Sequence, residues 1–222
     1  MSSKKDMLKD PNGNEYDETV VFHDGANVIN SKFEGCNFVG RNSTVTYSSF
    51  GKYSYVSQFS IVKNSQIGRF TSISWGCSVG PEDHDFNRLT SSSVLTSTKT
   101  FTLFNHKFYN PFEKECSVGN DCWIGCNSTV LRGVKIPDGV VVGAHSLVTK
   151  SPPPYSIVVG APARVLKFRF KKEIIDILLE MKWWNYPDST IKSLDFAFSK
   201  ENVEMEDLIK VKKYLETKNE QV

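Results

Sequence analysis

No apolar run in this 222-residue chain approaches the roughly 20 residues that would cross a bilayer. The first six residues, Met1 to Asp6, are polar and lack the apolar stretch of a secretory signal, so a cytoplasmic location is expected. Cysteine is scarce: Cys36, Cys77, Cys116, Cys122 and Cys126 are odd in number and form no C-x-x-C pair. That spacing argues against both a disulfide framework and a zinc site. An excess of one charge is also missing, with 27 basic and 25 acidic residues giving a net +2. Nothing electrostatic therefore favours nucleic acid or membrane insertion. No P-loop, dinucleotide glycine fingerprint or Ser-His-Asp order appears, which leaves nucleotide hydrolysis and nucleophilic catalysis unsupported.

What the chain does have is a repeat. Bulky apolar residues fall at Phe22, Val28, Phe33, Val39, Val45, Phe50, Val56, Val62, Ile67, Ile73 and Val79, in steps of six, five and six. The period is 17 residues, and three columns result. From Val118 onward the steps are six throughout, at Ile124, Val130, Ile136, Val142 and Val148. Four residues after most of these positions sits a small or β-branched residue, as at Ser43, Ser49, Ser54, Ser60, Thr71, Cys77, Cys122 and Ser128, with Gln66 an exception. Glycine often follows directly (Gly40, Gly51, Gly68, Gly80, Gly119, Gly125, Gly143), and is read as the residue that permits a tight turn. Three hexads make a triangular coil, each side one short strand, with coils stacked about 4.8 Å apart. A β-sandwich would show period 2 without a fixed 17-residue repeat, so the expected fold is a β-solenoid over residues 22–148.

The pattern stops at Val79 and resumes at Val118, leaving an expected loop over residues 80–117. So long an excursion is usually functional or disordered, and its Phe and Tyr content favours packing. After the prolines at 152–154, residues 170–184 have helical spacing, with Phe170, Ile174, Ile177, Leu178 and Met181 on one face. Ser189 and Ser199 are candidate N-caps of further helices. The expected organisation is a solenoid domain over 1–169 carrying loop 80–117, and a helical extension over 170–222.

Four histidines bear on chemistry. His23 and His145 fall at outward positions, and His106 lies among loop aromatics, where packing is the plain reading. His84 stands at the loop root beside Glu82, Asp83 and Asp85, where a neutral imidazole could act as general base and a carboxylate could orient it. His84 and His106 have no third partner in register, so no metal site is expected.

These residues resemble the hexapeptide-repeat acetyltransferases. The resemblance is carried by Val118-Gly119-Asn120-Asp121-Cys122-Trp123-Ile124-Gly125, by Gly133-Val134-Lys135-Ile136-Pro137-Asp138-Gly139, and by Gly160-Ala161-Pro162-Ala163-Arg164. The histidine-led loop and Lys182-Trp183-Trp184-Asn185-Tyr186-Pro187 narrow it to the xenobiotic branch, with its streptogramin and hexapeptide-type chloramphenicol acetyltransferases. The likeness covers about residues 20–187. It implies a left-handed parallel β-helix, a homotrimer with sites between subunits, and acetyl-CoA as co-substrate. It implies His84 as catalytic base in direct transfer within a ternary complex. Asp83 stands where the family usually carries Asn, and Asp83 and Asp85 are candidate acceptor-binding residues. For CoA the resemblance implies Trp123, the backbone amides of Cys126 and Ala144, Thr149 and Lys150, with Arg164 and Lys167 as phosphate partners.

The Ser- and Thr-rich stretch from Thr90 to Thr102 suits a sugar or similar small acceptor. An antibiotic hydroxyl is the alternative. A non-enzymatic solenoid scaffold is the reading from another class.

Overall fold

The computed structural model describes residues 7–219, so the polar N-terminus read above, Met1 to Asp6, lies outside the described residues. The chain divides into two compact units, one ending at Lys167 and one beginning at Phe168.

In the first unit the backbone winds repeatedly through three sheets of seven, eight and six strands. The ladders that join one coil to the next are parallel, while Leu8–Lys9 pairs antiparallel with Glu15–Tyr16. The three apolar columns become three ladders in register. Val39 pairs with Val56, Val56 with Ile73 and Ile73 with Ile124 along the eight-stranded sheet. Val45, Val62, Val79 and Val130 follow one another along the six-stranded sheet, and Phe33, Phe50, Ile67 and Val118 along the seven-stranded one. These side chains fill the interior almost without exposure. Each such burial is worth about 1.5–3 kcal/mol, which is why so many two- and three-residue strands hold one shape. The fold is the expected solenoid.

Two details of the coil differ from the sequence reading. At the edge where the step is five residues, the buried corner residue lies three positions after the apolar one, not four. Ser31, Ser48 and Ser65 are buried there, while Ser49 and Gln66 face solvent. The shortened step pulls the corner back by one residue, so Gln66 is no exception. At all three corners the small residue carries a ladder of hydrogen bonds. The Ser65 N–H donates to Ser48 Oγ at 3.2 Å and the Cys77 N–H to Ser60 Oγ at 3.1 Å. The Thr71 hydroxyl donates to Gly119 O at 2.6 Å. Each neutral bond contributes about 1 kcal/mol and answers a corner amide or carbonyl that the strands leave open.

Of the glycines after the apolar positions, Gly80 does take a left-handed turn (φ +66°), but the others are not there for the turn. Gly40, Gly51, Gly68, Gly119 and Gly125 have no left-handed φ; a Cβ on any of them would meet the backbone of the next coil at 2.5–2.7 Å. Glycine is required by the close approach of coils. The left-handed corner positions belong instead to Asn30, Tyr47, Tyr53, Phe59, Phe70, Asp121, Asn127 and His145.

The excursion runs from Gly80 to Glu115, two residues shorter than expected, because Cys116 and Ser117 already pair with Ser65 and Gln66. It packs partly on itself: Leu95 is buried, and the Phe108 N–H donates to Leu95 O at 2.8 Å.

The second unit is helical: α1 (Lys172–Met181), α2 (Asp188–Ser193), α3 (Asp195–Phe198) and α4 (Met205–Asn219). The first helix starts two residues later than Phe170, and Ile175 joins Ile174 and Leu178 on its buried face. It ends at Lys182 in a left-handed conformation whose N–H donates to Leu178 O. Neither expected serine is an N-cap. Pro187 precedes α2, and Ser199 closes α3 by donating its N–H to Asp195 O. Among the described residues no helix is long and apolar enough to cross a membrane.

Candidate active site

His84 follows the six-stranded sheet by five residues, on the outgoing leg of the excursion. Its Nδ1 lies 2.7 Å from Ser91 O. A carbonyl can only accept, so in the neutral ring Nδ1 carries the proton and Nε2 the lone pair. A backbone carbonyl thus orients the ring, the task the sequence reading gave to a flanking carboxylate. The carboxylates are occupied elsewhere: Asp83 faces Lys114 Nζ at 3.5 Å and Asp85 faces Arg88 Nε at 2.8 Å. Arg88 also lies over the Tyr109 ring, 5.3 Å from its centroid. Together with His84 these groups line a cavity of about 370 Å³ that opens at the loop root.

The legs of the excursion are pinned to each other and to the coil. The Asp83 N–H donates to Pro111 O at 3.1 Å, and Lys63 Nζ meets Glu82 at 2.8 Å. Arg132 lies beneath both legs, 8% exposed and lining the same cavity. The sequence reading missed it. The one signal available was Pro81, which has no N–H, at a corner where other coils carry Asn30, Tyr47 and Asn64.

Of the residues assigned to the cofactor, Trp123, Cys126 and Ala144 lie at another corner. Trp123 is 53% exposed on the outer face of the eight-stranded sheet, in register with Ser72 and Val141. Cys126 and Ala144 stack in successive coils just beyond it, since the His145 N–H donates to Cys126 O at 2.8 Å. Among the described residues neither Cys126 nor Ala144 donates its backbone N–H within the chain, so both amides are available to an outside acceptor. Thr149 and Lys150 follow the last strand of the six-stranded sheet. Arg164 is drawn near that end because the Ala163 N–H donates to Leu147 O at 2.8 Å. Arg164 and Lys167 are both exposed on the strand Arg164–Phe168. One chain therefore divides the cofactor candidates between two corners, since Thr149 and Lys150 continue the column of Leu131 and Arg132 at the corner where the excursion leaves. It does not bring Trp123, Cys126 and Ala144 to His84, because the whole width of the six-stranded sheet, about 15 Å of extended chain from residue 126 to 131, separates them.

The cysteines offer no nucleophile beside His84. Burial pushes the Cys122 thiol up to about 12, and burial also raises Cys77 and Cys116. Near pH 8 about one Cys122 in ten thousand is thiolate. Iodoacetamide should therefore alkylate exposed Cys36 in the folded protein and leave Cys122 untouched until denaturant is added. Intact-mass and peptide mapping would read this, and equal labelling of both would contradict it. Among the described residues no three His, Cys, Asp or Glu side chains converge as metal ligands do.

Residues 115–150 match the family model described as bacterial transferase hexapeptide (six repeats). The chain thus carries the hexapeptide-transferase repeat, and the solenoid is the left-handed β-helix that goes with it. Similar curated proteins include the chloramphenicol acetyltransferase of Morganella morganii, 48% identical over 79 residues, which are 36% of this chain and 38% of that one. The probable macrolide acetyltransferase of Lysinibacillus sphaericus is 46% identical over 36% of this chain and 45% of its own. A chloramphenicol acetyltransferase of Escherichia coli is 34% identical over 57% of this chain. The chain spans 61% of that relative's length and less of the other two. Among solved structures, a variant of AntD, an N-acyltransferase from Bacillus cereus in complex with dTDP-4-amino-4,6-dideoxyglucose and coenzyme A, aligns with TM-score 0.50 and 22% identity. It covers 77% of this chain and 90% of its own, and shares the fold.

Proposed function

We propose that this chain is the subunit of an acetyl-CoA-dependent acetyltransferase. In this reading His84 is the general base toward a hydroxyl, or amine, of a polar small acceptor. The observation that carries the reading is the Nδ1 contact to Ser91 O, which fixes the tautomer and leaves Nε2 basic at the edge of the loop-root cavity. Nε2 takes the acceptor proton as the acceptor oxygen attacks the thioester carbonyl. Collapse of the tetrahedral adduct expels the CoA thiolate, which the imidazolium then protonates. Transfer is direct, since no cysteine lines the cavity beside His84 to relay the acetyl group. Positioned proton transfer of this kind supplies about 10²- to 10⁴-fold in rate.

The amides of Cys126 and Ala144 suit the pantetheine carbonyls, and Trp123 gives an apolar wall beside them. Lys150, Arg164 and Lys167 suit the phosphates. Because His84 and the corner of Trp123, Cys126 and Ala144 lie apart within one chain, the site forms between copies, three in a closed ring. The excursion supports this, for Phe86 and Leu103 are largely exposed and Leu89 fully so on the single chain. Mixing inactive His84→Ala with inactive Trp123→Ala subunits should then restore activity at about a quarter of the sites, which pair one intact copy of each residue. No recovery on mixing would place the site within one chain.

The polar cavity lining, with Asn87, Asn110 and Glu113 beside the ion pairs, favours a hydroxyl-rich acceptor such as a sugar. A second reading, an antibiotic acceptor, is favoured by the names of the relatives. Labelled acetyl-CoA offered with nucleotide sugars, aminosugars, chloramphenicol and macrolides decides between them. Calorimetry with CoA tests the enzyme reading against a bare scaffold, and no binding heat would favour the scaffold.

A further inference from the structure

Where the chain leaves the solenoid, the corner ladder loses a donor. In the preceding coils the residue two positions past the apolar column donates its N–H one coil back: Tyr47 to Ile29 O at 2.9 Å and Asn64 to Thr46 O at 2.8 Å. The next residue in that series is Pro81, which has no N–H to give to Lys63 O. Arg132 Nη2 fills the vacancy at 2.8 Å.

The rest of the guanidinium is used as fully. Nη2 also reaches Gly80 O, Nε reaches Pro81 O at 3.2 Å, and Nη1 reaches Asn64 O at 2.8 Å and Lys114 O at 3.5 Å. Guanidinium has five N–H donors, and here each has one carbonyl. Those carbonyls belong to the preceding coil, the outgoing leg and the returning leg, while the Phe112 ring lies under the plane at 5.1 Å. Only Glu82 and Asp83 separate the clamped Pro81 carbonyl from His84, and both have cationic partners of their own.

We infer that Arg132 is the positioning residue of the transfer site: by binding both legs of the excursion to the coil through carbonyls, it sets where the His84 imidazole stands. The inference rests on the reading of His84 as base. A lysine would keep the charge but, with three donors on a point, could not span the five acceptors.

The test is Arg132→Lys in the full chain. The kcat should fall about ten- to a hundredfold, the range expected when a reacting group is displaced by an ångström or so. The KM for acetyl-CoA should stay within about twofold, because Trp123, Cys126 and Ala144 are at another corner and the substitution keeps the charge beside Lys150. Amide hydrogen exchange over residues 83–92 should accelerate while the solenoid ladders stay protected. If Arg132→Lys fails to fold, Arg132→Lys with Pro81→Ala restores an N–H to Lys63 O, and should recover the fold while kcat stays low. Unchanged kcat in the folded single or double variant overturns the inference, as does failure of both to fold. Exchange is read without turnover. A wild-type enzyme with no transferase activity would therefore count against His84 as base, while unchanged exchange in the variant would count against the clamp.

Discussion

Replacing His84 by alanine should lower acetyl transfer at least a hundredfold and leave the assembly folded and able to bind CoA. The imidazole is exposed on the single chain and makes one hydrogen bond, to Ser91 O. Its removal opens no cavity and leaves no buried partner unmet, so stability should change by no more than about 0.5 kcal/mol. The rate effect follows from chemistry: without a base the hydroxyl must be deprotonated by water, and about 10²- to 10⁴-fold is lost. CoA binding should be spared, because Trp123, Cys126 and Ala144 lie across the sheet from the loop root. Labelled-acetyl transfer and calorimetry read the two arms. Turnover near the wild-type rate in the variant would remove His84 from the role.

The largest expected effect on stability comes from a single methyl group. Gly68→Ala would set a Cβ 2.5 Å from the Gly119 carbonyl carbon, 2.6 Å from its oxygen and 2.7 Å from Asn120 N. All three atoms are backbone of the next coil, so no side chain can swing aside. The strands must part, and the ladder between Ser65–Ile67 and Cys116–Val118 stretches with them. Overpacking of this kind costs about 3 kcal/mol, which for a chain of this size lowers the melting temperature by about 6–12 °C. Gly143→Ala is the control, since its new Cβ would meet a Val159 side-chain carbon at 2.8 Å, with the nearest backbone atom 3.5 Å away. Equal melting temperatures for Gly68→Ala and the wild type would refute the packing account.

The solenoid was legible because its inward row is written out every five or six residues, and burial fixes that row whatever lies outside it. Val39, Val56 and Ile73 could be aligned by counting. The corners were less legible. Counting gives the apolar step, but it does not show that a five-residue step pulls the buried serine from Ser49 to Ser48. The reason for the glycines was hidden too, since what crowds Gly40 is Ser57 and Gln58 a full coil later. His84 could be picked out from its place at a break in the repeat. What holds it could not: Ser91 O is a backbone atom without a sequence signature, and the acceptors of Arg132 lie as far as 69 residues away. Asp83 and Asp85 read as possible ligands because their cations, Lys114 and Arg88, are joined to them only by the fold of the excursion.

The register across the excursion is unbroken: Ile73 pairs with Ile124 and Val79 with Val130 as if nothing stood between them. The winding therefore carries no memory of what Gly80 to Glu115 spell out. That segment is a cassette on a spool, and another of different length could be spliced between the same two turns without retuning the thread on either side. Donor and acceptor recognition can then diverge separately, one inscribed in the spool and the other in what is plugged into it, provided the splice keeps a fork like that of Arg132 to receive it.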